Sequence, residues 1–183
     1  MNPTELWAQP GAIAAAGLQV PQLTMESTQG PIELRAFCAE RAVLYTYPAT
    51  GVPGRDPSMD PAPGWDDIPG AAGCTVQSLG FKQQHGHWAA SGVRIAGIST
   101  QPLVEQQDFS ERNALPFPLL CDELLGLQRA WSLPTFTVGS RIFLERMVLY
   151  VEHNELRLAI YPVVNPGLSA EAMLRLLSAP LHL

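Results

Sequence analysis

The segment that most constrains the fold is Arg41–Tyr47, Arg-Ala-Val-Leu-Tyr-Thr-Tyr, closed by Pro48. A compact apolar and aromatic run of this length, ended by a residue without a backbone N–H, predicts a buried central strand. Such a strand needs partners on both edges and cover on both faces. Val93–Ser99 is a second short β-branched strand, and Phe117–Leu120, flanked by prolines, is a third. Met147–Val151 and Leu156–Tyr161 form a strand pair around a turn at His153-Asn154. Between them lie predicted helices. Thr75–Ala90 is interrupted by Gly80 and Gly86, and residues 102–113 turn Val104 and Phe109 inward. Asp122 caps a helix running to Trp131, and Ser169 caps a last helix to Ser178 with Leu174 and Leu177 inward. Strands alternating with helices make an α/β plan, a central sheet flanked by helices.

Residues 1–19 contain Pro3, Pro10, Gly11 and an alanine run, and read as a lead-in with a short helix at 4–16. Val20–Ala36 carries turn residues at Ser27-Thr28-Gln29-Gly30, which predicts a hairpin or two short strands. Residues 20–183 fit one domain with room for a full core. A formal net charge of −6 argues against general nucleic-acid binding, which depends on basic surface. No apolar run approaches the roughly 18–20 residues that cross a bilayer. Met1–Gln19 has no secretory pattern, so the expected location is cytoplasmic, away from membranes. The cysteines Cys38, Cys74 and Cys121 are odd in number and widely spaced. They make neither a disulfide framework nor a C-x-x-C pair, and each is expected to rest as a thiol in a reducing compartment.

The chemistry centres on residues 48–78. Prolines at 48, 53, 57, 61, 63 and 69 and glycines at 51, 54, 64, 70 and 73 make 48–73 a long connection. Connections of this kind are usually functional or disordered, and a place between a buried strand and a cysteine-bearing helix favours function. Trp65 implies that part of the loop packs down. The loop delivers Gly73-Cys74-Thr75-Val76-Gln77-Ser78 to a helix start. There, unpaired N–H groups and the positive end of the helix dipole favour a thiolate, the nucleophilic form of cysteine. The bland alternative is a small buried apolar residue.

Four segments resemble the peroxiredoxin superfamily in order. They are Val43-Leu44-Tyr45-Thr46-Tyr47-Pro48, Gly73-Cys74-Thr75-Val76-Gln77, Gly97-Ile98-Ser99-Thr100 and Pro116-Phe117-Pro118-Leu119-Leu120-Cys121-Asp122. Within the superfamily the chain is most similar to the bacterioferritin-comigratory, or Q-type, group, including redoxin-like proteins with an extended loop before the cysteine. The resemblance implies a thioredoxin-like fold, with a mixed central sheet, and a thiol peroxidase for hydrogen peroxide or organic hydroperoxides. Cys74 would be the peroxidatic cysteine, attacking the O–O bond to give a sulfenic acid. The family's late-strand arginine falls at Arg146, opening Arg146-Met147-Val148-Leu149-Tyr150-Val151, with Arg141 a rival. A guanidinium suits the task because it stabilises a thiolate and donates hydrogen bonds without deprotonating.

The chain departs from the family pattern in two ways. Ala71 stands where a Thr or Ser hydroxyl usually faces the peroxide, and Asp67 where a proline usually precedes it; Thr75, after the cysteine, is the expected catalytic hydroxyl from the other side, with a helix cap the alternative. The usual resolving-cysteine positions hold Leu79 and Ser110. Cys121 is then the possible resolving residue, or a structural thiol, and Cys38 a bystander. A one-cysteine enzyme would be recycled by an external thiol: thioredoxin, glutaredoxin or a low-molecular-weight thiol. The expected assembly is a monomer or homodimer. No cofactor or metal is expected: His85 and His87, two apart on a helix, read as a solvated face, and Asp66-Asp67 and Asp122-Glu123 as turn or cap residues. The competing function is a non-catalytic thioredoxin-like binding or redox-sensing module that uses the 48–73 loop.

Overall fold

The computed structural model describes Trp7, residues 11–56, residue 58 and residues 60–178. Its strands in chain order are β1 (Gly11–Gln19), β2 (Thr24–Met25), β3 (Ile32–Glu33), β4 (Arg41–Thr46), β5 (Val93–Ser99), β6 (Leu119–Cys121), β7 (Thr135–Val138), β8 (Arg141–Leu144), β9 (Met147–Glu152) and β10 (Glu155–Tyr161). Six of them form one sheet in the order β1-β10-β9-β4-β5-β6. The β4–β5 and β5–β6 pairs are parallel, whereas β9, β10 and β1 continue the sheet in antiparallel pairs. Parallel neighbours need a crossover, and α2 (Cys74–Ala90) and α3 (Leu103–Asn113) supply it. The remaining helices are α1 (Leu34–Phe37), α4 (Gly126–Trp131) and α5 (Ser169–Ser178).

β4 is the central strand, as its apolar run predicts. Its alternate residues feed two separate cores. Ala42 and Leu44 join Leu34, Trp131 and Leu149 on one face; Val43 and Tyr45 join Phe81, Trp88 and Met173 on the other. The Tyr45 ring stacks on Phe81 of α2 at 4.4 Å, and its hydroxyl donates to Ser78 Oγ at 2.9 Å. The cysteine-bearing helix is thereby fixed on the strand that precedes the long loop.

Several expectations need correction. The lead-in is not a helix where it is described: Gly11–Gln19 is an edge strand paired with β10, since ladder bonds outweigh the helix propensity of an alanine run. The rest of the predicted 4–16 helix lies outside the described residues, apart from Trp7. α2 runs unbroken through Gly80 and Gly86. Gly80 is required there, because a Cβ would sit 2.7 Å from the carbonyl oxygen of Gly167. Val104 is exposed; Phe109, Glu105 and Gln106 are the inward residues of α3. Ser169 is the first residue of α5, in helical φ/ψ, rather than a cap outside it, and its hydroxyl donates to Pro166 O at 2.8 Å. Asp122 does cap α4, from outside the helix, accepting from the N–H groups of Leu127 and Gln128. The β7–β8 hairpin is not among the predicted elements.

Candidate active site

The described residues of 48–73 pack down on a small core shared with β7 and β8. Trp65 lies against Phe143 at 5.0 Å and Phe136 at 5.9 Å, with Ala49, Ala62 and Ala71 completing the cluster. A polar network ties the other side of the loop to α3. Gln101 bonds Thr50 through backbone and side chain and donates to Glu105, which pairs with Arg55 at 2.6 Å. Asp60 accepts from Val52 N–H. The loop thus sets down residues 70–73 in a fixed place beside the sheet.

There the chain enters α2 through Gly73 at φ 102°, a left-handed conformation that glycine adopts without a Cβ penalty. No side chain caps this helix, so its first N–H groups have no side-chain acceptor. Cys74 is the first helical residue and is 4% exposed. Its thiol donates to Ala71 O at 3.5 Å, and it accepts from Arg146 Nη2 at 3.2 Å. The same Nη2 reaches the carbonyls of Gly70, Ala71 and Ala72, at 3.0–3.3 Å, while Nη1 donates to Gln77 Oε1 at 2.5 Å. When the thiol loses its proton the bond to Ala71 goes, and the guanidinium remains as donor to the sulfur.

Arg146 is 3% exposed and held from behind. Thr46, the last residue of β4, donates to Glu145 O and accepts from Met147 N–H. It thus grips the backbone on both sides of Arg146. Tyr161 donates to Glu145 Oε2, and Val163 N–H to Arg146 O. Burial pushes the pKa of Tyr45 up, with Cys74 adding to the rise and Ser78 opposing it, so a neutral phenol lies under the site. A cavity of about 390 Å³ opens beside Arg146, lined by Pro69, Gly70, Phe136, Pro162, Val163 and neighbouring residues.

Of the residues singled out in sequence, Cys74 and Arg146 are brought together. Thr75 is not: a helical step of about 100° swings it away from Cys74, and it is exposed with no side-chain hydrogen bond among the described residues. Arg141 faces elsewhere, donating to Pro61 O at 2.7 Å and lying over the Phe143 ring. Cys121 ends edge strand β6, separated from β9 by β5 and β4, and its thiol donates to Gln101 O at 3.3 Å. Burial raises its pKa. Cys38 is fully buried in the core on the opposite face of the sheet from Cys74, and burial pushes its thiol up to about 12. All three cysteines are free thiols. Sequence reasoning missed Gln77 and Thr46 as site residues. Gln77 was findable, because residues three apart share a helix face and Cys74 marks that face.

Residues 69–143 match the AhpC/TSA family. The chloroplastic peroxiredoxin Q of Sedum lineare is 27% identical over 125 residues, 68% of this chain and 57% of that protein. That of Triticum aestivum is 26% identical over 121 residues, 66% and 47% of the two chains. The chain spans about half the length of the curated relatives it matches. Among solved structures, a peroxiredoxin Q of Xanthomonas campestris superposes with a TM-score of 0.68 at 23% identity, covering 88% of this chain and 96% of that one. Peroxidoxin BcpB of Mycobacterium tuberculosis gives 0.69 at 20% identity, covering 91% and 100%. The chain has the thioredoxin-like fold of these solved structures. The BcpB superposition covers 91% of the chain, and the family match contains Cys74 and the long loop's last residues.

Proposed function

We propose that the chain is a thiol peroxidase in which Cys74 reduces hydrogen peroxide or an organic hydroperoxide. The observation that carries this reading is the 3.2 Å contact between Arg146 Nη2 and Cys74 Sγ at the first position of an uncapped helix. Thiolate sulfur attacks the hydroxyl-bearing oxygen of the peroxide. An S–O bond forms as the O–O bond breaks, and two electrons pass from sulfur to the peroxide. Cys74 becomes a sulfenic acid, and the departing oxygen takes a proton from solvent to leave as water or an alcohol. Negative charge grows on that oxygen in the transition state, and buried donors beside the sulfur lower its energy. A bacterioferritin comigratory protein of X. campestris, a structural neighbour at 22% identity, is described for alkyl peroxide reduction. The partly apolar cavity next to Arg146 suits an alkyl group of that kind.

Recycling falls to an external thiol in this reading, because neither Cys38 nor Cys121 is paired with Cys74. No observation in the site favours the non-catalytic alternative. The test is peroxide consumption with a small thiol as reductant. Cys74→Ser is expected to abolish it and Cys38→Ser to leave it unchanged; turnover that persists in the Cys74 variant overturns the mechanism.

A further inference from the structure

Gln77 is fully buried one helical turn from Cys74, and its amide is only half satisfied. Its Oε1 accepts from Arg146 Nη1 at 2.5 Å. That bond fixes the amide's orientation, because a guanidinium N–H has to meet the oxygen and not the NH₂ group. The Nε2 group therefore presents two N–H bonds elsewhere, and among the described residues it has no partner. Arg146 Nε, on the next side chain, is also buried with no partner among the described residues. Buried donors are paired as a rule, and an unpaired one is costly. Both of these belong to side chains joined by one hydrogen bond, and the guanidinium of one also contacts Cys74 Sγ. The cavity lined by Arg146 and Gly70 adjoins the guanidinium to which Gln77 is bonded.

We propose that Gln77 is a second catalytic donor, whose Nε2–H binds the peroxide oxygen that departs when Cys74 attacks. The role deepens the peroxidase reading and rests on it. A neutral amide suits the position, since it meets developing negative charge without placing a second cation beside Arg146. It also supplies a donor to a site in which Ala71 brings no hydroxyl and Thr75 turns outward.

The test compares two rate constants at Cys74: oxidation by hydrogen peroxide, and alkylation by iodoacetamide, which needs the thiolate but no donor for a leaving oxygen. Gln77→Glu keeps an acceptor for Arg146 and removes the N–H group; Gln77→Met removes both. The ratio of oxidation to alkylation is expected to fall about tenfold in each variant, the worth of one hydrogen bond in the transition state. A ratio in Gln77→Glu within about twofold of wild type overturns the proposal, because that variant keeps the acceptor that positions Arg146 and lacks only the N–H donor. Wild-type protein that is alkylated at Cys74 yet not oxidised by peroxide overturns the peroxidase reading, and the donor role with it. An oxidised wild type with an unchanged variant ratio overturns the donor role alone.

Discussion

At the scale of single residues, the site depends on a geometry that only a guanidinium satisfies. Arg146 serves Gln77 with one nitrogen, and Cys74 and three loop carbonyls with another. An ammonium has no planar fork to span acceptors on both sides. Arg146→Lys is therefore expected to keep the charge and still slow peroxide oxidation of Cys74 by about 10- to 100-fold, with Arg146→Ala at least as slow. Stopped-flow oxidation checks this, and a Lys variant at the wild-type rate would show that charge alone suffices. Cys38 gives the contrasting case of a buried thiol with no hydrogen-bond donor to its sulfur among the described residues. Burial raises its pKa from the ordinary 9.0 to about 12, so the folded protein holds this proton more tightly than the unfolded chain. Folding stability that is fully present below pH 9.0 is then lost as the pH climbs towards about 12. Denaturant titrations across that range should show a shallower loss in Cys38→Ala than in wild type. Equal slopes would mean that Cys38 does not hold its proton on folding.

At the scale of elements, α2 has to approach the turn before α5 closely for Cys74 to lie where it does. Gly80→Ala places a Cβ 2.7 Å from a backbone oxygen that has no rotamer to yield, and should cost about 1–3 kcal/mol, read as a lower thermal midpoint. Gly86→Ala, in the same helix with nothing within 4 Å, should instead stabilise by about 0.5–1 kcal/mol. Two substitutions of one kind with opposite signs separate close packing from propensity. The elements legible in the sequence are those whose own residues decide them. β4, β5, β9 and β10 are dense apolar runs, and α2 follows a glycine and a cysteine out of a proline-rich loop. β1 was illegible because its alanines favour a helix locally, and only pairing with β10 makes it a strand. Val104 was misplaced because one apolar residue on a polar helix does not define the buried face; the buried Gln106 and Glu105 are occupied with Tyr47, Gln101 and Arg55.

At the scale of the whole molecule, the sheet sorts the three thiols into separate surroundings. Cys74 lies in one core, Cys38 in the core across the sheet, and Cys121 on an edge strand. All three are free thiols, and a disulfide between any two would need their Cα atoms within about 7 Å. Cys74 and Arg146 were legible as a pair because a resemblance supplied roles for two residues far apart in sequence. The loop carbonyls around the guanidinium were not, since backbone acceptors carry no sequence signature. The measurement that tests the account most directly is intact mass and peptide mapping after a single equivalent of hydrogen peroxide, with a sulfenic-acid trap present. The account predicts one trap adduct, confined to Cys74, and no two-hydrogen loss linking it to Cys121 or Cys38. An unmodified Cys74 under conditions that oxidise an ordinary exposed thiol would contradict it.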